Sequence, residues 1–453
     1  MKIKLTCLLF LVSFSFFAQE KQKEYSFSLD EAIERALDSS YNAINARRDI
    51  EIALKKKWET TADGLPQIEA NVDYQNSLKR PVQLLPAEIT GGPPGTFIPI
   101  QFGTKQNLSA TATATQLIFD GSYLVAIRAS RTFLNYTNTN AQKTALEIRK
   151  SVIDAYGNVL LAQELVDILE SNQTTLQKNY DETKKIFENG LQEEEAVEQI
   201  QITLLQITNQ LNNAKRLVVI TEDMLNLTLG IPLKNDITLT DDLDNLAEEN
   251  ISLELMNVDP TIEENVDYQL AQNLIEQREH EFNLERAKAL PSLSTFINYG
   301  TTGNSETFSF LTNDQEWYQS SIWGVSLNIP IFSSLKRSAR TAQARIALEQ
   351  AQTQFEQSKE QIRLQMNKAK NDYQFAIENY RTAKQNLKLA ERIENKNQIK
   401  FSEGLATSFE LRQAQTQLYQ TQQEFLESML EVLNSKAELE TVLNTPNISI
   451  SNP

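Results

Sequence analysis

The sequence predicts a mainly α-helical protein with a small β part, built as two tandem repeats of one helix–strand–strand–long helix–helix unit. Three observations carry this. From Ile362 to Ala390, residues recur in alternating steps of four and three: Ile362, Met366, Ala369, Tyr373, Ala376, Tyr380, Ala383, Leu387, Ala390. This is the 3.5-residue seam along which long helices pack. The same seam stands 214 positions earlier, at Ile148, Val152, Ala155, Val159, Ala162, Val166, Leu169, Gln173 and Leu176, with one polar break at Gln173. Finally, four stretches alternate apolar and polar residues with period two, the pattern of strands with one apolar face.

The first 18 residues read as a secretory signal. Lys2 and Lys4 precede an apolar run from Leu5 to Phe17, and Ala18 is a small residue suited to cleavage, although Phe16 is bulky for such a site. The run is shorter than the roughly 20 residues a membrane-spanning helix needs. The single cysteine, Cys7, lies inside it, so a chain cleaved after Ala18 has no thiol for a disulfide or a metal. No later stretch reaches 18 consecutive apolar residues, so insertion into a membrane would have to be by β-barrel.

Beyond a leader at 19–28, Ser28 and Glu31 form a capping box that opens a helix over about 29–62. Gly64 and Pro66 end it. A strand over about 66–78 sets Ile68, Ala70, Val72 and Tyr74 against polar neighbours. Residues 79–104 hold five prolines and four glycines and read as a long loop. Alternation resumes over about 105–119 and closes at Asp120-Gly121. Between Ser122 and Leu229 there is no proline, and Gly190 breaks the pattern, giving helices of about 122–187 and 193–229. At about 1.5 Å per residue the first is roughly 100 Å long. An acidic linker covers 230–260.

The second half repeats this order over 261–445. A helix of about 261–288 ends at Leu290-Pro291, matching Leu65-Pro66. Strands follow over about 291–300 and 319–332, separated by a loop at 301–317. Two helices, about 336–400 and 407–443, flank Gly404-Leu405, which matches Gly190-Leu191 at the offset of 214. Residues 446–453 form a tail. The repeat periods place first and second halves in equivalent structural roles.

The four strands each carry one apolar face. The row Trp323, Val325, Leu327, Ile329 and Ile331 suits a lipid face, with Trp317 and Tyr318 as interfacial anchors. A small soluble sheet packed on the helices is the plainer alternative. Four strands cannot close a barrel and leave no exposed edge, so if they enter a membrane several chains must share one barrel.

Chemistry is thin. His280, the only histidine, sits in the charged run Arg278-Glu279-His280-Glu281 and reads as a solvated surface residue. There is no phosphate-binding loop, dinucleotide fingerprint or metal-spaced Cys or His pair, so no catalytic, cofactor or metal site is expected, and the chain does not read as an enzyme. With 43 Lys and Arg against 60 Asp and Glu, the net charge is −17. This is the wrong sign for a general nucleic-acid binder. One charged feature stands out at the turns: Glu193, Glu194, Glu195 and Glu198 follow Gly190, and Glu403 and Glu410 flank Gly404. Carboxylates there favour a helix N-terminus; repeated by symmetry, they would also ring the end of a tube and favour cations.

In order along the chain, these features resemble the TolC family of outer-membrane efflux and secretion channels. The carriers are Ser28-Leu29-Asp30-Glu31-Ala32-Ile33, Leu65-Pro66, Leu290-Pro291, Phe119-Asp120-Gly121, and Phe401-x-x-Gly404-Leu405 followed by Gln413-Ala414-Gln415. Each is weak alone; their duplicated order is specific. The resemblance implies a homotrimer with a 12-stranded transmembrane β-barrel continuous with a periplasmic α-helical barrel, located in the outer membrane and extending into the periplasm. It implies an exit duct of tripartite efflux or type I secretion, passive and without cofactors. A periplasmic adaptor (membrane fusion protein) would dock at the Gly190-Leu191 and Gly404-Leu405 tips, and an inner-membrane pump of RND, ABC or MFS type would feed it. Glu410 would narrow the tip, and Gln413, one turn on, would weaken the constriction charge in this half. A non-pore periplasmic coiled-coil scaffold or adaptor is the alternative from another class.

Overall fold

The computed structural model describes residues 24–252, 255, 261–445, 448 and 450. The expected signal at 1–18, the end of the acidic linker and most of the tail lie outside the described residues. Two compact units are present, and each draws on both halves of the sequence. One comprises Met1–Arg47, Gln142–Thr261 and Arg363–Pro453; the other comprises Arg48–Ala141 and Ile262–Ile362.

The elements, in order, are β1 (Tyr25–Phe27), α1 (Leu29–Ser39), α2 (Tyr41–Ala62), β2 (Gln67–Asn76), β3 (Val82–Pro86), β4 (Phe97–Gln101), β5 (Gln106–Asp120), α3 (Gly121–Glu188) and α4 (Glu194–Leu229). They continue with β6 (Ile237–Leu239), α5 (Leu243–Glu249), α6 (Val266–Ala287), β7 (Ser292–Ser305), β8 (Trp317–Asn328), α7 (Lys336–Ser402) and α8 (Ser408–Leu443).

Several boundaries differ from the sequence expectation, each for a local reason. The helix expected over 29–62 is broken at Ser40, whose backbone is extended (φ −63°, ψ 151°). Its hydroxyl accepts from the amide of Ala43, so Ser40 caps α2 as an N-cap serine does. The loop expected at 79–104 contains the hairpin β3–β4, paired from Val82↔Gln101 to Pro86↔Phe97. Its prolines are tolerated because a two-stranded ribbon is all edge. Strand β7 runs past Gly300 and Gly303 to Ser305, into what reads as loop. Strand β8 stops at Asn328, so Ile329 and Ile331 are not strand residues. Pro330 has no amide to donate to a strand ladder. The acidic linker carries β6 and α5. His280 is half-buried, and its Nε2 lies 2.9 Å from the hydroxyl of Thr132, itself buried. The solvated reading fails because α6 packs this face against the start of α3.

In the first unit, the α7 seam is core: Met366, Ala369, Tyr373, Ala376, Tyr380, Ala383 and Ala390 are all buried. The α3 seam follows its expected line through Ile148, Val152, Val159, Ala162 and Leu169. It then drifts. Gln173 is half-exposed, and the buried positions become Asn172, Leu176, Asn179 and Thr183. A straight helix turns about 20° per heptad relative to a strict 3.5 repeat, which moves the buried stripe off a fixed line. Leu169, Leu176, Ile207, Leu211 and Ala214 join α3 to α4 in one apolar cluster.

The linker is tied to these helices by two fully buried tyrosines. Tyr156 donates to Asp241 Oδ2 at 2.8 Å, and the same carboxylate oxygen accepts from the amide of Leu29 at 2.7 Å. Tyr373 donates to the carbonyl of Asn250 at 2.7 Å and accepts from the amide of Ser252 at 2.9 Å. Strand β1 pairs in parallel with β6 beside them.

The second unit holds the main sheet, antiparallel in the order β2-β5-β7-β8. Directly paired residues of an antiparallel sheet share a face. One row is therefore Ile68, Ala114, Ile297 and Trp323; another is Tyr74, Leu108, Gly303 and Trp317; a third is Phe119, Leu293 and Leu327. The opposite face has rows such as Asn71, Thr111, Gly300 and Ser320. The apolar faces of all four strands thus coincide on one side. Both outer strands, β2 and β8, have one unpaired edge within the chain.

Between β8 and α7 the chain makes an elbow. Ser334 and Leu335 have φ of 48° and 65°, the left-handed region, at two successive non-glycine residues. Each such residue costs on the order of 1–2 kcal/mol. Arg337 holds the bend: its guanidinium donates to the carbonyls of Pro330 (2.6 Å) and Ile331 (3.2 Å) and to the hydroxyl of Ser333 (3.2 Å).

Candidate functional site

Two features expose side chains that the fold does not require: the turns at Gly190 and Gly404, and the apolar sheet face. Helix α3 ends with Gly190 at φ 72°, a conformation that glycine adopts without penalty. The amide of Leu191 donates to the carbonyl of Ile186 at 3.1 Å, and that of Gly190 to Phe187 at 2.7 Å. Helix α7 ends in the same way. Gly404 has φ 73°, Leu405 donates to Lys400 at 2.7 Å, and Gly404 donates to Phe401 at 3.0 Å. Both are Schellman caps, in which a left-handed glycine lets the last carbonyls find donors. Such caps usually pack the next residue back on the helix. Here Leu191 is 79% exposed and Leu405 73%. A Cβ at either glycine would meet nothing within 4 Å.

The acidic residues around the turns are not equivalent. Glu193 occupies the N-cap of α4 without a side-chain capping bond, and Glu194 and Glu195 fill its first turn. Glu195 accepts from Gln199 at 2.8 Å, and Glu198 is exposed. Glu410 is committed locally. It accepts from the amide of Thr407 at 2.8 Å and from its hydroxyl at 3.0 Å, completing a capping box at the start of α8. The bonds from Thr407, backbone first, hold the Glu410 carboxyl below the usual glutamate range. Gln413 is exposed on the next turn.

Behind the turns, polar side chains cross the helix interface. Asn179 of α3 and Gln398 of α7 exchange two hydrogen bonds, at 3.0 and 2.9 Å. Asn172 donates to Gln422 of α8 at 2.9 Å, and Gln173 to Thr208 of α4 at 2.9 Å. Gln173 is the polar break already visible on the predicted line, whereas Asn172 and Asn179 lie off it, and only the enrichment in Asn and Gln hinted at them. Burial pushes the nearby Glu394 carboxyl up, against a bond from Gln415 that lowers it.

On the sheet, Trp323 is 69% exposed; Val325 and Leu327 stand beside it on the apolar face and are also exposed. Ile329 and Ile331 continue the exposed row into the elbow, outside the strand. Trp317 packs near Phe310, which meets Phe308 and Tyr74 edge-on, in an aromatic group at the far end of the sheet from the helices. Among the described residues no group of three or more His, Cys, Asp or Glu could hold a metal ion. No described helix is long and apolar enough to cross a membrane.

The outer membrane efflux protein family matches residues 32–231 and 258–445. No curated protein sequence is detectably similar to the chain. Among solved structures, the Campylobacter jejuni outer membrane channel CmeC superposes with a TM-score of 0.72 at 15% identity, covering 94% of this chain and 87% of its own. CusC, studied for transmembrane channel formation, gives 0.70 at 19% identity, covering 92% and 91%. The outer membrane protein VceC of Vibrio cholerae gives 0.69 at 15% identity, covering 92% and 95%. These likenesses establish the fold, and the sequence match, which spans both halves, establishes the family: this chain belongs to the outer membrane efflux proteins.

Proposed function

We propose that three copies of this chain form a passive exit duct across the outer membrane, taking substrate from a periplasmic adaptor and an inner-membrane pump. The observation that carries this is the sheet: four antiparallel strands with all apolar faces on one exposed side, polar faces on the other, and two unpaired edges. In a bilayer an open edge is not tolerated, so the β8 edge of one copy pairs with the β2 edge of the next. Three copies give twelve strands, an even number within the known range. From Leu293 to Gly303 the apolar face climbs ten residues. At about 3.4 Å each and a tilt of about 40° that rises roughly 26 Å, against an apolar band of about 25 Å in outer-membrane barrels.

The long helices then form the periplasmic wall, and the exposed Leu191 and Leu405 at the Schellman turns are the adaptor contacts. Glu193, Glu194, Glu195, Glu198 and Glu410 supply negative charge at that end, with Gln413 uncharged one turn further on. The lipid face is Trp323, Val325 and Leu327, continued by Ile329 and Ile331. Conductance in planar bilayers tests the duct. Ion steps with cation preference are expected, and replacing Glu193, Glu194, Glu195 and Glu410 by Gln should lower that preference. Unchanged selectivity would remove the acidic ring from the account; absence of conductance from intact assemblies, in wild type and tip variants alike, would remove the duct.

A further inference from the structure

We infer that the elbow from Ile329 to Arg337 is a membrane-interface anchor, whose side chains Ile331, Phe332 and Leu335 enter the phospholipid boundary at the periplasmic end of the barrel. The inference rests on the barrel reading above and goes beyond it, because these residues belong to neither the sheet nor the helical wall.

Four observations converge. Ile331 is 88% exposed, Phe332 83% and Leu335 76%, more than Trp323 on the sheet face itself. Ser334 and Leu335 both sit in the left-handed region. Strain of this kind persists only where surrounding structure over-determines it, and it concentrates at functional positions. The structure that over-determines it is visible: Arg337 grips Pro330, Ile331 and Ser333 together. The whole device therefore holds a leucine outward at a position where glycine would fit without strain. At the repeat offset of 214 stands Gly121, which opens helix α3 and is not among the left-handed residues, so the first crossing has no such elbow. A Cβ there would lie 2.6 Å from Leu290 Cδ1, so the first crossing is packed shut where the second protrudes.

The order of chemistry along the elbow selects a lipid surface as the occupant. The apolar sheet face ends at Leu327, the exposed apolar side chains of Ile329, Ile331, Phe332 and Leu335 follow, and the exposed Lys336 comes next. That sequence of apolar band, apolar protrusion and cation matches hydrocarbon, acyl–headgroup boundary and phosphate in turn. The competing occupant is a neighbouring copy, whose α2 exposes Trp58 and whose β2 is preceded by the exposed Leu65.

The test uses the full mature chain, which lacks cysteine if Cys7 is removed with the leader. Leu335→Cys, Val325→Cys and Leu405→Cys are each labelled with an environment-sensitive fluorophore. They are reconstituted in phosphatidylethanolamine–phosphatidylglycerol vesicles with brominated acyl chains. The label at 335 should lose most of its emission, as should that at 325, while that at 405 is unaffected. A 335 label that behaves like the 405 label, with 325 still quenched, overturns the anchor and leaves the barrel standing. If 325 is also unquenched, the barrel reading fails and the anchor with it. A 335 label already shielded in detergent, and released by Trp58→Ala, overturns the anchor by assigning the elbow to the neighbouring copy. As a check on folding, Leu335→Gly should keep the assembly intact while detaching the elbow from the membrane. That detachment is read by quenching of a label at Phe332→Cys in the same background; quenching that persists there argues against Leu335 as an anchor.

Discussion

The reciprocal amide pair between Asn179 and Gln398 offers a sharp test of how the hairpins are held near their turns. Asn179 is 2% exposed, and both its amide atoms bond to Gln398 across the α3–α7 interface. Replacing Asn179 with Leu removes two neutral hydrogen bonds and leaves the Gln398 amide against an apolar side chain. An unsatisfied buried amide costs about 1–3 kcal/mol. Gln398 is only half-buried, so water reaches part of it and the cost should fall near about 1–2 kcal/mol. Gln398→Met strands Asn179 instead, which water does not reach, so its cost should be higher, about 2–3 kcal/mol. The double variant removes both polar groups together and should recover most of the loss, because paired apolar replacements are nearly neutral. Native-state hydrogen exchange of the α3 and α7 segments flanking the pair reads the local opening free energy. If the two losses simply add in the double variant, or if Gln398→Met costs nothing, the pair does not couple the helices and the reasoning is wrong.

Three further outcomes are expected. Gly190→Ala and Gly404→Ala should each cost about 1–2 kcal/mol, the price of a left-handed alanine with no clash. Gly230→Ala should cost more, because a Cβ there runs into the Ser39 carbonyl; equal costs in thermal denaturation would contradict the assignment. On the sheet, Ile297→Arg should destabilise by about 2–4 kcal/mol in lipid, whereas Ser320→Arg on the opposite face should stay within about 0.5 kcal/mol; refolding into vesicles under urea distinguishes them, and the reverse order would invert the faces. For pH, burial is the first cause pushing up the carboxyls of Asp154, Glu164, Glu222 and Glu394. Their folded pKa values exceed the unfolded ones, so the native state binds protons more tightly and stability grows as pH falls through the folded values. The melting temperature should therefore rise as pH falls from neutral toward the ordinary carboxylate range, before carboxyls such as Glu410 and Glu248, held low in the fold, lose their contribution at lower pH. Glu394→Gln should flatten part of that rise, and a melting temperature that falls on mild acidification would contradict it.

Much of this fold is readable from the residues, and the exceptions have physical causes. The α7 seam is legible because its stripe is apolar throughout and, apart from the half-buried Leu387, buried as predicted. Beyond Leu169 the α3 seam is legible only at Leu176, because the stripe takes in Asn172 and Asn179, which look like surface residues until their amide partners are known. Ser40 breaks a helix that contains no proline or glycine near it; its capping role shows only in the bond its hydroxyl accepts from the amide of Ala43. The hairpin β3–β4 is hidden by Pro86 and Pro99, which signal loop although they sit at tolerated edge positions. The coincidence of the four apolar faces depends on strand register, which alternation along single strands does not specify. The turns at Gly190 and Gly404 are the most legible part of the candidate site, since a left-handed glycine followed by leucine is a local signal. Which carboxylates face a common lumen depends on how three chains meet, a property that one chain's sequence does not carry.

The central claim is that one chain is a third of a closed barrel, and the mass of the particle extracted from outer membranes in mild detergent tests it most directly. Native mass spectrometry should find three mature chains per particle, dissociating only when heated in denaturing detergent. Stable, folded monomers with the β2 and β8 edges still protected from hydrogen exchange would contradict the account.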